Sequence, residues 1–313
     1  MTRKNIIYGI VAIAILVTSA IIVRNLAFSS KDIRVIHTVS YSNAVIFRTI
    51  QKFPERIQGV SIPDPAKHID ILLGESSRRA IVSVTPFSNA LIAADRNRDL
   101  RIIAGAGFNG LSLIGNVKTV SELRGKRIGT SRGDTLENFL VELMQENGLT
   151  PEDYEIVYFT DPFEAIESVR RGLLDAVTHV EPFATQLLEQ SGLYRIATSK
   201  ELWGDHPDAV IITSQTVIDR FPQYLQWLID ELKKTQKEII ENPEKTAAEL
   251  SNTYYDLDKK QLMQIIQYQF PRIDIRNYES FFIERGNTLL ELRYIDNPVS
   301  KTIFDWRFLN NEK

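Results

Sequence analysis

From Ile6 to Val23 the chain runs without a charged residue, and Arg3 and Lys4 stand just before it. A run of that length crosses most of a hydrocarbon core of about 30 Å as a helix. Positive charge ahead of it favours a cytoplasmic N-terminus, with the body of the protein outside. Residues 1–31 therefore read as a signal anchor. The alternative is a signal peptide cleaved near the small residues Thr18 and Ala20. Beyond this leader the period of the apolar positions keeps changing. Ile33 to Ser40 reads as a strand, and Val45, Ile46, Thr49, Ile50 and Phe53 then recur at helical spacing as far as Pro54. Pro65 to Leu73 predicts a helix stopped at Gly74. Ala80 to Val84, Leu100 to Ala104 and Leu111 to Ile114 predict strands, the last two separated by a glycine-rich loop.

The middle of the chain is the most regular. Arg127 to Thr130 is a strand, Asp134 and Glu137 form a capping box, and Leu136, Phe139, Leu140, Leu143 and Met144 mark one helix face up to Gly148. Tyr154 to Phe159, Leu174 to Thr178, Tyr194 to Thr198 and Ala209 to Thr213 are further strands, with helices opening at Asp161 and Pro182 between them. From Thr216 onward the pattern is almost wholly helical, ending in a helix expected over 298–308. Strands alternating with helices predict an α/β fold whose sheets are covered on both faces.

Charge and composition narrow the possible functions. The net charge of −3 includes a purely basic leader (Arg3, Lys4, Arg24 and Lys31), so the body is acidic and shows no basic stripe for nucleic acid. Zero cysteines exclude disulfides, thiolate metal sites, a cysteine nucleophile and a lipid-modified cysteine after the leader. The four histidines are scattered, and no phosphate loop, dinucleotide fingerprint or zinc-protease motif occurs, so neither a metal nor a cofactor is expected.

The candidate chemistry sits at strand ends. Gly129 to Gly133 matches G-x-S-x-G between a strand and a helix, which admits a serine hydrolase using Ser131. The same turn suits anion binding: N–H groups at a helix start, the Ser131 and Thr135 hydroxyls and the Arg132 guanidinium all fit an oxyanion, although Asp134 would oppose one unless it is occupied in capping. His179 and Glu181 follow a strand, where open α/β sheets gather ligand groups. Tyr41 and Phe108 also follow strands, placed either for ligand stacking or for the core.

The order of short pieces, Val120 to Gly129, Ser131 to Thr135, Glu146 to Thr150, Ala165 to Gly172, Leu174 to Ala176 and Glu181-Pro182, resembles the substrate-binding proteins of nitrate, sulfonate, taurine and thiamine-precursor ABC transporters. The resemblance implies a two-lobed type 2 periplasmic binding fold. Lobe one would be 32–117 plus 215–313 and lobe two 118–214, hinged near 116–119 and 214–216. It adds Ser40, Tyr41, Ser83 and Thr85 to the expected ligand contacts, beside Ser131 to Thr135 and His179 to Glu181. The departures are Arg78-Arg79-Ala80 where many relatives carry an acid, and the missing lipid-anchoring cysteine. The expected function is an extracytoplasmic, membrane-anchored or secreted receptor for a small, oxyanion-bearing ligand, delivering it to an ABC permease and not an enzyme. An enzyme on a related fold, or a sensory or scaffolding domain that has lost transport, is the alternative.

Overall fold

The computed structural model describes residues 31–189, 192–251 and 257–310. The apolar run at 6–23 lies outside them, and among the described residues no helix is long and apolar enough to cross a membrane. In chain order the first elements are β1 (Ile33–His37), α1 (Ala44–Lys52), β2 (Ile57–Ser61), α2 (Pro65–Glu75), β3 (Ala80–Pro86), α3 (Phe87–Arg96), β4 (Leu100–Gly105) and β5 (Leu111–Gly115). There follow β6 (Arg127–Thr130), α4 (Thr135–Glu146), β7 (Glu155–Tyr158), α5 (Pro162–Arg170), β8 (Ala176–Val180), α6 (Phe183–Leu188), β9 (Tyr194–Thr198) and α7 (Ser199–Trp203). The remainder is β10 (Ala209–Ser214), α8 (Gln215–Arg220), α9 (Pro222–Glu241), α10 (Pro243–Leu250), α11 (Lys259–Tyr268) and α12 (Glu279–Glu291).

These strands form two five-stranded sheets, ordered β2-β1-β3-β10-β4 and β7-β6-β8-β5-β9. In the first, β1 runs parallel to β2 and β3, and β10 is inserted antiparallel between β3 and β4, with Val210 opposite both Thr85 and Gly105. The second repeats the scheme: β6 is parallel to β7 and β8, and β5 lies antiparallel between β8 and β9. Strands β5 and β10 are buried along their whole length, as interior strands covered on both faces must be.

This pairing exchanges two strands relative to the expected lobe boundaries. Residues 111–115, placed in lobe one, pair in the second sheet, and residues 209–214, placed in lobe two, pair in the first. The chain therefore crosses between sheets at 106–110 and 204–208, earlier than 116–119 and 214–216 in both cases. Wholly buried strands need neighbours on both edges, and each finds them in the sheet across the crossover. Three elements go beyond the sequence expectation: strand β2, helix α3, which begins directly at the end of β3, and the short helix α7. The expected helix over 298–308 resolves instead into 3₁₀ turns at Lys301–Ile303 and Arg307–Leu309, with Phe304 bridging to Ile102 of the first sheet.

The two crossings are fastened to each other. Asn109 Nδ2 donates to Asp205 Oδ1 at 2.8 Å, His206 N to Asn109 Oδ1 at 3.1 Å, and Asp208 N to Gly107 O at 3.0 Å. Gly107 is required here by space, since a Cβ would overlap the backbone of Ser42. Gly107→Ala is expected to destabilise the protein by about 1–3 kcal/mol in denaturant titration, the usual range for overpacking. Gly74→Ala, in α2 with open space around it, is the control and should be neutral or stabilising by up to about 1 kcal/mol.

Helix α9 packs on α1, while α12 packs on both α3 and α4, so the C-terminal region touches elements of both sheets. Half-buried in that seam, Glu142 of α4 accepts from Trp203 Nε1 at 2.8 Å and from Thr288 Oγ1 at 2.6 Å, beside the Arg285 guanidinium. Asn138 Nδ2 donates to Arg285 O at 3.0 Å, and the Tyr294 hydroxyl to Glu137 Oε1 at 3.2 Å.

Candidate functional site

A cleft of about 720 Å³ opens between the carboxyl ends of the parallel strands of the two sheets, the place where open α/β sheets gather ligand groups. Its first-sheet wall comes from the turn after β1 (Ser40, Ser42, Asn43), the end of β3 (Thr85) and Asp208 before β10. Its second-sheet wall comes from Ser131, Asp134 and Thr135 at the start of α4, Phe159, Phe163, His179 and Phe183.

Of the residues expected to bind ligand, Ser40, Thr85, Ser131, Thr135 and His179 line this cleft. The others lie elsewhere. Tyr41 is buried in a separate apolar cluster with Phe47, Leu250 and Leu262, and its backbone N–H donates to Glu181 O at 2.8 Å, a bond between the two halves. Ser83 Oγ lies 2.9 Å from Nδ1 of the buried His68, whose ring is held on its other side by Ile62 O at 2.9 Å. Phe108 belongs to the core, stacked on Phe270 at 5.7 Å between ring centroids with Tyr278 against its edge. Glu181 is fully buried, accepting from Arg195 Nη2 at 3.1 Å and from Thr185 N at 2.9 Å. Arg132 turns out of the cleft to lie over the Tyr158 ring at 3.9 Å.

The start of α4 is capped from within. Asp134 Oδ1 accepts from Leu136 N at 3.0 Å and Glu137 Oε2 from Gly133 N at 2.6 Å. Carboxylates of the chain thus hold N–H groups that an incoming anion would need. Desolvation outweighs these bonds and pushes the Asp134 carboxyl up to about 6. The hydroxyls remain: Ser131 Oγ donates to Phe159 O at 3.3 Å, and Thr135 Oγ1 accepts from Ser88 N at 3.1 Å. A backbone carbonyl partner leaves Ser131 without the histidine that an activated serine nucleophile needs.

On the other wall Asp208 Oδ2 accepts from Ser42 Oγ and Gly110 N, both at 2.9 Å, and from Gln269 Nε2 at 3.2 Å. Burial pushes this carboxyl up to about 6, against the lowering effect of those bonds. On the second-sheet side the His179 ring tilts against Phe183 at 4.8 Å, and His179 Nδ1 accepts from Val180 N at 3.0 Å. Phe163 stands edge-on to Phe183 at 5.4 Å and is 63% exposed, an apolar group left at the cleft wall. Sequence reasoning did not include Ser42, Asn43, Asp208 or the three phenylalanines 159, 163 and 183 among the ligand contacts. The available signal for Asp208 is a charged residue placed immediately before the apolar run Ala209 to Ile212.

Among known proteins, the family model described as NMT1/THI5 like matches residues 109–246, and no curated protein matches the chain. The fold is shared with the periplasmic aliphatic sulphonate binding protein SsuA from Escherichia coli (16% identity, 88% of this chain and 91% of that one, TM-score 0.72). It is shared with the periplasmic nitrate-binding protein NrtA from Synechocystis PCC 6803 (15% identity, 87% and 84%, TM-score 0.71). It is also shared with the ligand binding component of an ABC-type import system from Staphylococcus aureus (13% identity, 91% and 99%, TM-score 0.77). The likeness to nitrate- and sulfonate-type binding proteins, carried in the sequence by short pieces, thus extends over both sheets, and the chain has the two-sheet fold of the periplasmic binding proteins with an NMT1/THI5-like segment at 109–246.

Proposed function

We propose that the protein is an extracytoplasmic solute-binding receptor that delivers a small ligand to an ABC permease, held at the membrane by residues 6–23. The observation that carries this reading is the cleft itself, walled by polar side chains from both sheets and open to a ligand of organic size. An occluded cleft would have favoured a scaffold, and a serine bonded to a histidine would have favoured a hydrolase. The sulfonate- and nitrate-binding neighbours support an oxyanion on the ligand, with the Thr135 hydroxyl, which only accepts from Ser88 N, as a donor and the Ser131 hydroxyl as a second once it exchanges its 3.3 Å bond to Phe159 O for the ligand. The two lobes, drawn at 32–117 plus 215–313 and 118–214 apart from the exchanged strands, would close by bending at the two fastened crossings.

The test is small-angle scattering and thermal shift of the body against a panel of sulfonates, nitrate, carboxylates and amines. A ligand at about 100 times its Kd is expected to add about 2.7 kcal/mol of stability and to reduce the radius of gyration. A stabilising solute that leaves the radius of gyration unchanged would remove the closing mechanism, and a panel without any stabilising solute would remove the receptor.

A further inference from the structure

The first-sheet wall of the cleft is built of oxygen acceptors in need of a donor. Asn43, Thr85 and Asp208 line it, none more than 3% exposed. Each holds a side-chain oxygen without a hydrogen-bond partner: Asn43 Oδ1, Thr85 Oγ1 and Asp208 Oδ1. Turning the Asn43 amide round does not cure this. Its Nδ2 already donates to Thr38 O at 2.8 Å and to Thr38 Oγ1 at 3.2 Å, and a flipped amide would set its oxygen against the carbonyl oxygen. The fold brings the three positions together at one end of the first sheet. Ser42, the neighbour of Asn43, donates to Asp208 Oδ2, and Val210, two residues after Asp208, registers opposite Thr85. Among the described residues, none of those lining this wall is a lysine, arginine or histidine.

We infer that the bound solute presents a primary ammonium group to Asn43, Thr85 and Asp208, whatever group its other end sets against the second sheet. An ammonium carries three N–H donors and no acceptor, which matches the three waiting oxygens in number and in sense. Its positive charge is also opposite in sign to the Asp208 carboxylate, whose remaining oxygen is already committed to three donors. A hydroxyl head would fill one of the three acceptors, and a methyl head none. Phe159, Phe163 and Phe183 on the facing wall provide for a hydrocarbon body between the two ends. The assignment rests on the receptor reading above and adds the chemistry of one end of the ligand.

The experiment compares matched probes in which a methyl replaces the ammonium at equal chain length: γ-aminobutyrate against valerate, and ethanolamine against n-propanol, by calorimetry on the wild-type protein. The ammonium member is expected to bind at least about tenfold more tightly, equivalent to about 1.4 kcal/mol. Thr85→Val, which removes one acceptor at nearly constant shape, and Asp208→Asn, which removes the charge, should each narrow that gap severalfold, with circular dichroism confirming that both variants fold. Equal binding of the methyl and ammonium partners, or a gap that neither substitution moves, overturns the assignment. So does the absence of binding by every amine up to about 10 mM. The receptor reading falls separately, only when the wider panel of sulfonates, nitrate and carboxylates also leaves the protein unstabilised.

Discussion

Arg285→Met is expected to destabilise the folded protein by about 2–3 kcal/mol, at or below the lower end of what removing one partner from a fully buried ion pair does. Glu142 and Arg285 lie in the seam between α4 and α12, with side chains 13% and 20% exposed. Arg285 Nε is 3.0 Å from Glu142 Oε2 but lacks the alignment of a hydrogen bond, so its contribution is chiefly charge, placed near the rings of Trp203 and Phe281. Methionine keeps most of the apolar contact and removes the charge. Desolvation already holds the Glu142 carboxyl above its ordinary range. Without Arg285 it rises further, and proton uptake together with the remaining Trp203 and Thr288 bonds limits the loss. Urea denaturation at neutral pH measures it. The double variant Glu142→Gln, Arg285→Met should recover most of the loss, because an amide in that pocket has no charge to compensate. A single variant as stable as wild type would show that the pair contributes nothing to the seam.

Asp208→Asn is expected to stabilise the protein at neutral pH by about 2–3 kcal/mol while leaving it unchanged near pH 4. Burial raises this carboxyl from its ordinary 3.8 to about 6, so the folded state holds a proton that the unfolded state releases. Between about pH 4 and 6 the folded state binds more protons, and stability falls as pH rises through that window. Asparagine can set its carbonyl oxygen where Oδ2 accepts its three hydrogen bonds, without the charge. The difference between variant and wild type is the quantity to measure. The whole-protein profile also contains Asp134, raised to about 6 with the same sign, and His206, lowered to about 4, whose effect runs the other way. An asparagine variant less stable than wild type at neutral pH would mean that the carboxylate is a net stabiliser of the Ser42, Gly110 and Gln269 donors.

Much of this architecture is legible in the chain because it is local. The strand and helix around Gly129 and Asp134 announce themselves through a turn, a cap and an apolar stripe, and Ser131 and Thr135 line the cleft because they occupy that helix start. Sheet membership is not local. Leu111–Gly115 and Ala209–Ser214 are short, wholly buried runs, and their pattern says that they are interior without naming the sheet that encloses them. Helix α3 went unread because burial on most of its surface erases the polar stripe that marks a helix. The charge of Arg132 beside a helix start suggests an anion contact, but the Tyr158 ring offers that guanidinium a surface outside the cleft. Asn43 and Asp208 stayed hidden because their significance lies in unmet hydrogen bonds, which only the folded chain can display.

The seam of α12 against α3 and α4 also has a consequence for leverage. Because the polar contacts of Asn138, Glu142 and Tyr294 pin the C-terminal region to the second-sheet half, that seam would act as a fulcrum in the bending proposed at the crossings. Rotation about a fulcrum moves nearby points little and distant points far, so the displacement grows toward the rim where Pro63 and Phe163 line opposite walls of the cleft. On the proposed closing motion the rim would be the part of the surface whose spacing changes most with occupancy, and a permease that gauges the separation of two points there would distinguish filled from empty receptors without touching the solute.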